Sequence, residues 1–351
     1  MTTLETNYTA PRVRLPWKAD IAPYACASVA RSVLDLLTSV VPYLALWVAM
    51  VLMLRAGVSY WLVLAVAVPT AGFLLRTFIV FHDCTHGSFL PTKRGNHVVG
   101  AAVGMIVFTP FQAWRHSHAV HHATAGDLDR RGQGDVPTFT VQEYLAHDWP
   151  MRLGYRLFRN PLVMFGLGWL WGLVIQPRIV PRGARPRIRR SVWVTNGLLA
   201  AIIAGLGLLI GFDTLLLVQG PTAALAGASG VFLFYVQHQF EDTYWENTES
   251  WSYADAALRG SSYLKLPKVL QFFTGNIGLH HVHHLSARVP NYKLQAAHDG
   301  VDLFRGVPVL SFWDGAKAAR LKVWSPEQSR LLTWAEVREV RRALPAAAAT
   351  T

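Results

Sequence analysis

The sequence has few charged residues and almost no cysteine. Only 15% of its 351 residues are Asp, Glu, Lys or Arg, whereas about a quarter of a soluble domain is charged. The two cysteines, Cys26 and Cys84, are too few for a disulfide framework or for an iron–sulfur cluster, which needs about four protein ligands. These shortages exclude a disulfide-stapled secreted domain and an iron–sulfur protein.

The sequence is also poor in acidic residues, and its N-terminus does not resemble a secretory signal. The chain has 21 Asp and Glu against 33 Lys and Arg, a formal net charge of +12. No nucleic-acid recognition module accompanies this charge, so we expect no nucleic acid as a partner. Basic residues lie instead beside apolar runs, which is typical of loops on the cytoplasmic side of a bilayer. The N-terminus lacks the apolar core and cleavage site of a signal peptide, so we expect it to stay cytoplasmic.

Long apolar runs, in contrast, are abundant, and 52% of the residues are hydrophobic. Four runs reach the roughly 20 residues that a membrane-spanning helix needs. They cover residues 34–54, 61–81, 192–212 and 215–236. Short linkers at residues 55–58 and 213–214 join them into two transmembrane hairpins. Two shorter runs, residues 98–111 and 162–175, are predicted to be interfacial or re-entrant helices.

Positive charge lies on the flanks of the hairpins rather than at their tips. Six arginines precede the second hairpin: Arg178, Arg182, Arg185, Arg187, Arg189 and Arg190. The positive-inside rule therefore places both termini and most of the chain in the cytoplasm of a plasma or bacterial inner membrane. The predicted fold is an all-α integral membrane protein with a cytoplasmic helical cap. Its parts are an N-terminal segment (1–30), a membrane domain (31–300) and a C-terminal cap and tail (301–351).

Most of the fourteen histidines occur in three clusters. The clusters are His82-Asp-Cys-Thr-His86, His116-Ser-His-Ala-Val-His-His122 and His280-His-Val-His-His284. Within each cluster, histidines three and four residues apart share one face of a helix. One further histidine, His238, directly follows the fourth apolar run.

This spacing predicts a site for two transition-metal ions. Neutral imidazole is a good ligand for iron, copper, nickel or zinc, and nine nitrogens are too many for one ion. A single histidine pair is more often a surface feature of a polar helix, but three clusters on one membrane face are not explained in that way. The nine predicted ligands are His82, His86, His118, His121, His122, His238, His280, His283 and His284.

Other polar residues near the clusters are candidates for supporting these ligands. A metal-bound histidine usually donates its second N–H to a carboxylate or carbonyl, although a lone acidic residue is more often a helix cap or a solvated charge. The candidates are Asp83, Asp127, Asp129, Glu241 and Asp242, with Asn276 as a partner for a metal-bound water, and His116 and His281, which lie off the ligand faces.

Together, these segments resemble the membrane fatty acid desaturase family, and most of all the acyl-lipid type that acts at the Δ12 (ω-6) position. The resemblance covers roughly residues 30–300. The similar segments are His82-Asp-Cys-Thr-His-Gly-Ser-Phe89, Trp114-Arg-His-Ser-His-Ala-Val-His-His122, Gly126-Asp-Leu-Asp-Arg-Arg131, Gly275-Asn-Ile-Gly-Leu-His-His-Val-His-His284 and Arg288-Val-Pro-Asn-Tyr292.

The resemblance implies a non-haem di-iron centre on the nine histidines, which uses O₂ to introduce a cis double bond into a membrane-lipid acyl chain. His238 corresponds to the family's additional ligand between the second and third clusters. Animal acyl-CoA members have an asparagine four residues earlier, where this chain has Phe234, so a water-bridged ligand must come from elsewhere. The chain lacks a haem-binding His-Pro-Gly-Gly segment, so a ferredoxin or a reductase is the expected electron donor.

Two alternatives remain open on the sequence. A hydroxylase or ketolase for alkanes, sterols or carotenoids would use a similar scaffold, but alkane hydroxylases have a glutamate in the first cluster and a glycine in the second, and this chain has neither. A metal transporter would place ionisable residues within its spans, whereas the four runs are almost free of charge beyond their ends.

Overall fold

A computed structural model describes residues 17–132 and 134–343 of the chain. The first sixteen residues of the predicted N-terminal segment and the alanine-rich end of the predicted tail lie outside these ranges.

Helices make up most of the described chain. They are α1 (Trp17–Ile21), α2 (Val29–Arg55), α3 (Tyr60–His86), α4 (Lys93–Ile106), α5 (Phe111–Thr124), α6 (Val141–Ala146), α7 (Trp149–Phe158), α8 (Pro161–Gly166), α9 (Pro186–Ile210), α10 (Phe212–His238), α11 (Tyr253–Arg259), α12 (Lys268–Phe273), α13 (His280–Leu285), α14 (Leu294–Gly300), α15 (Phe312–Ala318) and α16 (Trp334–Ala343). Leu170–Ile175 is π-helical, and Gln176–Arg178, Asn291–Lys293 and Asp302–Gly306 are 3₁₀ turns.

Four of these helices, α2, α3, α9 and α10, are long and apolar enough to cross a membrane. They coincide with the four predicted runs, which confirms the two hairpins. The helices continue beyond the apolar runs, since α3 ends at His86 and α10 ends at His238. Each is the second helix of its hairpin, and the two pack against each other. Their last turns therefore bring the first histidine cluster and His238 to the same end of the bundle.

The turn of the second hairpin differs from the prediction. Residues 213–214 do not form the linker, because the chain turns at Gly211 alone and α10 begins at Phe212. Gly211 has a φ of 92°, a conformation that residues with a Cβ rarely adopt. Asp213 lies instead in the first turn of α10, where its negative charge interacts favourably with the helix dipole.

The first of the two shorter apolar runs is broken, and the second begins directly after a bend. The run at 98–111 is divided between α4 and α5, which meet at an angle of 103°. The break follows from Phe108, whose φ is 56°, and from Pro110, which disfavours helical conformation in the residue before it. The run at 162–175 is divided between α8 and the π-helical turn, in a unit bent by 57° from α7. Each bent pair is a broken span or a re-entrant loop, so the helices allow four to six spans.

The predicted cap contains short strands as well as helices. Strand β1 (Tyr263–Lys265) pairs in parallel with β2 (Val309–Ser311), and β3 (Leu321–Ser325) pairs antiparallel with β4 (Arg330–Thr333). The β1–β2 pair crosses the predicted boundary at residue 300, so backbone hydrogen bonds join the membrane domain to the cap.

A buried arginine also ties the spanning helices to the cap. The Arg159 side chain is fully buried and donates to Oε1 of Gln239 at 2.8 Å and to the carbonyl of Leu321 at 3.1 Å. Because Gln239 follows His238 directly, these bonds fix the end of α10 against the cap.

Candidate metal centre

Four separate elements bring the histidine clusters together. The last turn of α3 supplies His82 and His86, and the last residue of α10 is His238. The bend before α5 turns this helix so that it packs against α3 and α9, and α13 supplies the third cluster. All nine predicted ligands converge, in two adjoining groups.

The first group contains five histidines: His82, His86, His118, His122 and His283. One ring nitrogen from each lies within 4.8 Å of all the others. The Nε2 of His118 is 3.0 Å from that of His82 and 3.1 Å from that of His122, and the Nε2 atoms of His122 and His283 are 2.9 Å apart.

The second group contains four buried histidines: His121, His238, His280 and His284. The Nε2 of His238 is 3.2 Å from that of His121 and 2.9 Å from that of His280. The groups adjoin closely, since the rings of His122 and His284 stack with their centroids 4.1 Å apart.

Helical spacing explains how the histidines divide. Those four residues apart stay in one group, as His118 and His122 do in the first and His280 and His284 do in the second. His121, three residues after His118, belongs instead to the second group, and His283, three residues after His280, belongs to the first. A helix has 3.6 residues per turn. Residue i+3 therefore lies to one side, and residue i+4 to the other side, of a line drawn through residue i parallel to the helix axis. Each of α5 and α13 can thus supply ligands to two ions.

The distances between nitrogens fit metal coordination. Two nitrogens that are each about 2.1 Å from one ion and subtend a right angle lie about 3.0 Å apart. The five Nε2–Nε2 distances run from 2.9 to 3.2 Å. The donor set is nitrogen only, which suits iron, copper, nickel or zinc.

The proton positions give a second test of this fit. Nδ1 of His238 lies 3.0 Å from the carbonyl of Gly260, which only accepts hydrogen bonds, so the proton of the neutral ring is assigned to Nδ1. Nδ1 of His121 donates to Asp135 at 2.5 Å in the same way. The two Nε2 atoms face each other at 3.2 Å. Because each Nδ1 is taken up by an acceptor, both Nε2 atoms are turned toward one point, and these residues fit a metal ion.

Burial keeps five of the candidate ligands on α5 and α13 in the form that binds metal. It lowers the pKa values of His118, His122, His280, His283 and His284 well below 6.5, and the neighbouring imidazoles lower them further. A pKa lowered in this way means a neutral ring at pH 7, and neutral imidazole is the ligand form.

One predicted supporting residue, Asp83, contacts a ligand directly. Its Oδ1 is 3.1 Å from Nδ1 of His82. Its Oδ2 accepts from the backbone N–H of Asn291 at 2.7 Å and from the Asn291 amide at 3.0 Å. The same amide donates to Asp35 at 2.9 Å, and Asp35 pairs with Arg76. Asp35 and Arg76, the charged residues inside the first two predicted apolar runs, thus neutralise each other, and the network orients His82.

The other predicted supporting residues lie elsewhere. Asp127 accepts from Arg130 and Thr248, Asp129 accepts from the Thr248 backbone, and Glu241 pairs with Arg330. His116 and Asp242 are exposed. The Asn276 amide makes one long contact, 3.4 Å, to the carbonyl of Asn291. His281 is buried and bonds to His298 at 3.0 Å. Among the described residues, these side chains have no hydrogen bond to the nine histidines.

Sequence reasoning missed three groups that support the ligands: Asp135, the carbonyl of Gly260, and Asn291. Asn291 lies in the Arg288–Tyr292 segment that carries the resemblance, and Asp135 has a local signal of another kind. Gly134 before it has a φ of 79°, and a Cβ there would lie 3.1 Å from the Cβ of His121. A glycine is therefore needed for this loop to approach α5 closely enough to place Asp135.

Phe234 lies where the animal members have an asparagine, and its side chain has no ligand atom. Its ring centroid is 5.2 Å from that of His121 and 5.6 Å from that of His238. Phe234 therefore places an apolar ring beside the second group, where an asparagine would place a side chain able to bind water.

Comparison with known proteins identifies the family. The model of a family described as "Fatty acid desaturase" matches residues 59–313. The chain belongs to the fatty acid desaturase family. Its spans and histidine clusters are those of a membrane oxidoreductase of that family, with side chains that could hold metal.

Named relatives agree with this assignment. The chain is 43% identical to a protein named fatty acid desaturase from Bacillus subtilis, over 93% of this chain and 92% of the relative. It is 27% identical to an sn-1 oleoyl-lipid 12-desaturase of Synechocystis, over 65% of each chain. It is 28% identical to an sn-1 acyl-lipid omega-3 desaturase (ferredoxin) of the same organism, over 64% of this chain and 63% of the relative.

Proposed function

We propose that this chain is an O₂-dependent acyl-lipid desaturase of the Δ12 (ω-6) type, with two iron ions held by the nine histidines. The observation that carries the proposal is the division of nine converging imidazoles into two groups with nitrogen spacings suited to metal ions. The relatives named as oleoyl-lipid and acyl-lipid desaturases support the substrate class.

Metal is needed because of the substrate. An unactivated methylene has no acidic proton, so side-chain acids and bases cannot remove its hydrogens. When bound, the iron pair would supply the O₂-derived oxidising power that removal of two hydrogens requires. His82, His86, His118, His122 and His283 would hold one ion. The other ion would be held by His121, His238, His280 and His284.

The remaining groups of the site position the ligands and exclude water. Asp83, Asp135 and the Gly260 carbonyl each accept the Nδ1 proton of a ligand histidine, which directs its Nε2 toward the ion. Most ligand rings are buried, and Phe234 adds an apolar surface. A dry site of this kind limits the side reactions of a strong oxidant.

Electrons must come from outside the chain. Forming a double bond releases two electrons, and reducing O₂ to two waters takes four, so two more have to be supplied. Cys26 is exposed and Cys84 is buried, and neither is part of a disulfide. A ferredoxin or a reductase chain is therefore the proposed donor, as in the relative whose name includes ferredoxin. We propose that both termini and the metal centre face the cytoplasm, where such donors occur.

The test is expression in a host whose lipids contain only saturated and monounsaturated chains, with iron and an electron donor supplied. Mass spectrometry of the fatty acids should show a new diene with a locatable double bond. His118→Ala should abolish the diene and lower the bound iron. His116→Ala is the matched control, because this exposed histidine of the same cluster lies outside both groups, and it should keep both. A hydroxylated or ketone product would favour the oxygenase alternative, and an unchanged profile would exclude both activities.

A further inference from the structure

A groove of about 230 Å³ lies between α7 and α16, and none of the nine histidines lines it. Its walls contain four arginines, two from each helix, and two apolar side chains from α7. These residues are Arg152, Arg156, Arg338, Arg341, Trp149 and Leu153. The α7 residues follow the spacing i, i+3, i+4, i+7, which places them on one helical face. Each helix thus turns a pair of guanidinium groups toward the same space.

The groove has a strong excess of positive charge. No Asp or Glu is among the described residues that line it. The acids of α16, Glu336 and Glu339, lie on the side of the helix away from Arg338 and Arg341 at 100° per residue, and Glu336 pairs with Arg330. Within the described chain, no ion pair is formed by any of the four groove arginines. Four cations around one space repel each other, so the groove favours an anion.

Among the residues that the structure describes, Arg156 is the one groove arginine that other side chains hold. Nε of Arg156 donates to the hydroxyl of Tyr144 at 2.7 Å, and its guanidinium lies 5.0 Å from the ring centroid of Trp334. These contacts use one edge and one face of the guanidinium and leave the Nη groups available. Arginine forms planar, bidentate hydrogen bonds with phosphate oxygens, so phosphate is the anion that this side-chain set fits best.

An apolar stripe beside the groove indicates where the phosphate comes from. Trp149, Leu153 and Leu157 are spaced four residues apart on α7 and are 70%, 47% and 54% exposed. Leu162, at the start of α8, is 83% exposed. In a membrane protein such a stripe lies against acyl chains, with tryptophan at headgroup level. Trp149 and Leu153 belong to both the stripe and the groove, so the groove opens at the depth of lipid headgroups.

We propose that this groove binds the headgroup phosphate of an anionic phospholipid, whose acyl chains lie along the α7–α8 stripe. Its volume is below the roughly 300 Å³ at which pockets begin to enclose a whole drug-sized ligand, and it is thus suited to a headgroup. The site is separate from the metal centre, and its occupancy does not depend on the reaction proposed above.

Native mass spectrometry of the full chain in detergent tests the proposal, with phosphatidylglycerol and phosphatidylcholine as probes. The protein should retain phosphatidylglycerol in preference to phosphatidylcholine. Each arginine near an anionic lipid contributes about a fivefold change in affinity, so Arg338→Gln with Arg341→Gln should weaken retention at least about tenfold. Arg320→Gln removes an exposed charge outside the groove and should leave retention unchanged. Arg152→Gln tests the opposite wall independently, and melting temperatures check that each variant is folded.

The following results would overturn the proposal. Equal retention of the two lipids, or equal retention by the double variant and Arg320→Gln, would show that the groove does not select an anionic lipid. If millimolar inorganic phosphate displaced the bound phosphatidylglycerol as readily as added phosphatidylglycerol does, the groove would be a site for a free anion. Normal lipid retention in the double variant, with impaired reduction by an acidic electron carrier, would make the groove a docking surface for the donor.

Discussion

At the scale of single residues, three of the nine imidazoles are oriented by a group that their second ring nitrogen contacts. His121 meets a carboxylate, Asp135, at 2.5 Å, and His238 meets a backbone carbonyl at 3.0 Å. The carboxylate makes the stronger bond because it is charged. Its other oxygen, Oδ2, is buried and has no hydrogen-bond partner in the part of the chain that the structure describes. Asp135 therefore acts mainly on His121, as a positioning residue.

Replacing Asp135 should weaken the second metal group selectively. Loss of such a partner typically lowers metal affinity or activity about 10- to 100-fold. Asp135→Ala should therefore release iron at a lower chelator concentration, to about half of the full content, while Asp135→Asn should recover part of the affinity because its amide oxygen still accepts from Nδ1. Asp129→Ala is the control, since Asp129 bonds to Thr248 rather than to a histidine. Iron release at the same chelator concentration in all three variants would remove Asp135 from this role.

At the scale of elements, the position of α5 depends on close packing against α3 and α4. A Cβ on Gly100 would lie 2.2 Å from Cε2 of Phe111 and 2.8 Å from the Cβ of Cys84. Glycine is required here by the close approach of three helices rather than by its φ. Because Phe111 begins α5 and Cys84 lies between His82 and His86, this contact sets the distance between two histidine clusters.

Gly100→Ala should therefore destabilise the protein even though alanine favours helix. Overpacking costs about 1–3 kcal/mol, which exceeds the roughly 0.5–1 kcal/mol that alanine gains in a helix. Gly154→Ala is a matched control in α7, where a Cβ would meet nothing within 4 Å, and it should raise the melting temperature slightly. A thermal-shift assay compares the two, and stabilisation by both substitutions would contradict the packing argument.

The element scale also shows which parts of the fold are readable from sequence. The four spans follow from the length of their apolar runs, and this prediction is confirmed. The break between α4 and α5 is harder to predict, because an apolar run has the same composition whether it is straight or bent by 103°. The strands of the cap are three to five residues long, too short to give a periodic pattern.

At the scale of the whole molecule, the candidate metal centre joins the two hairpins to α5 and α13. Its nine histidines come from two spanning helices, from α5 and from α13, elements separated by up to two hundred residues of sequence. Bound cations would hold these converging ring nitrogens together. We expect bound metal to contribute to the stability of the entire fold as well as to the reaction.

Removing the metal should lower the melting temperature of the whole protein. A ligand that binds only the folded state stabilises it by about 2.7 kcal/mol when its free concentration is one hundred times the Kd. Dialysis against a strong chelator should lower the melting temperature, and iron added back should restore it. His118→Ala should show a smaller change on chelation, since one group has already lost a ligand. An unchanged melting temperature after verified loss of metal would contradict this expectation.

The sequence by itself determined the spans, the nine candidate ligands and the family resemblance. These features depend on local quantities, namely run length and the helical periodicity of histidines, which are present before the chain folds. Helical spacing separates His121 from His122, but only the packing of four elements in the tertiary structure decided which group each histidine joins. It also decided which polar atoms support them. Asp135, Gly260 and Asn291 lie 14, 22 and 208 residues from the residues they contact, and only the folded chain brings them together.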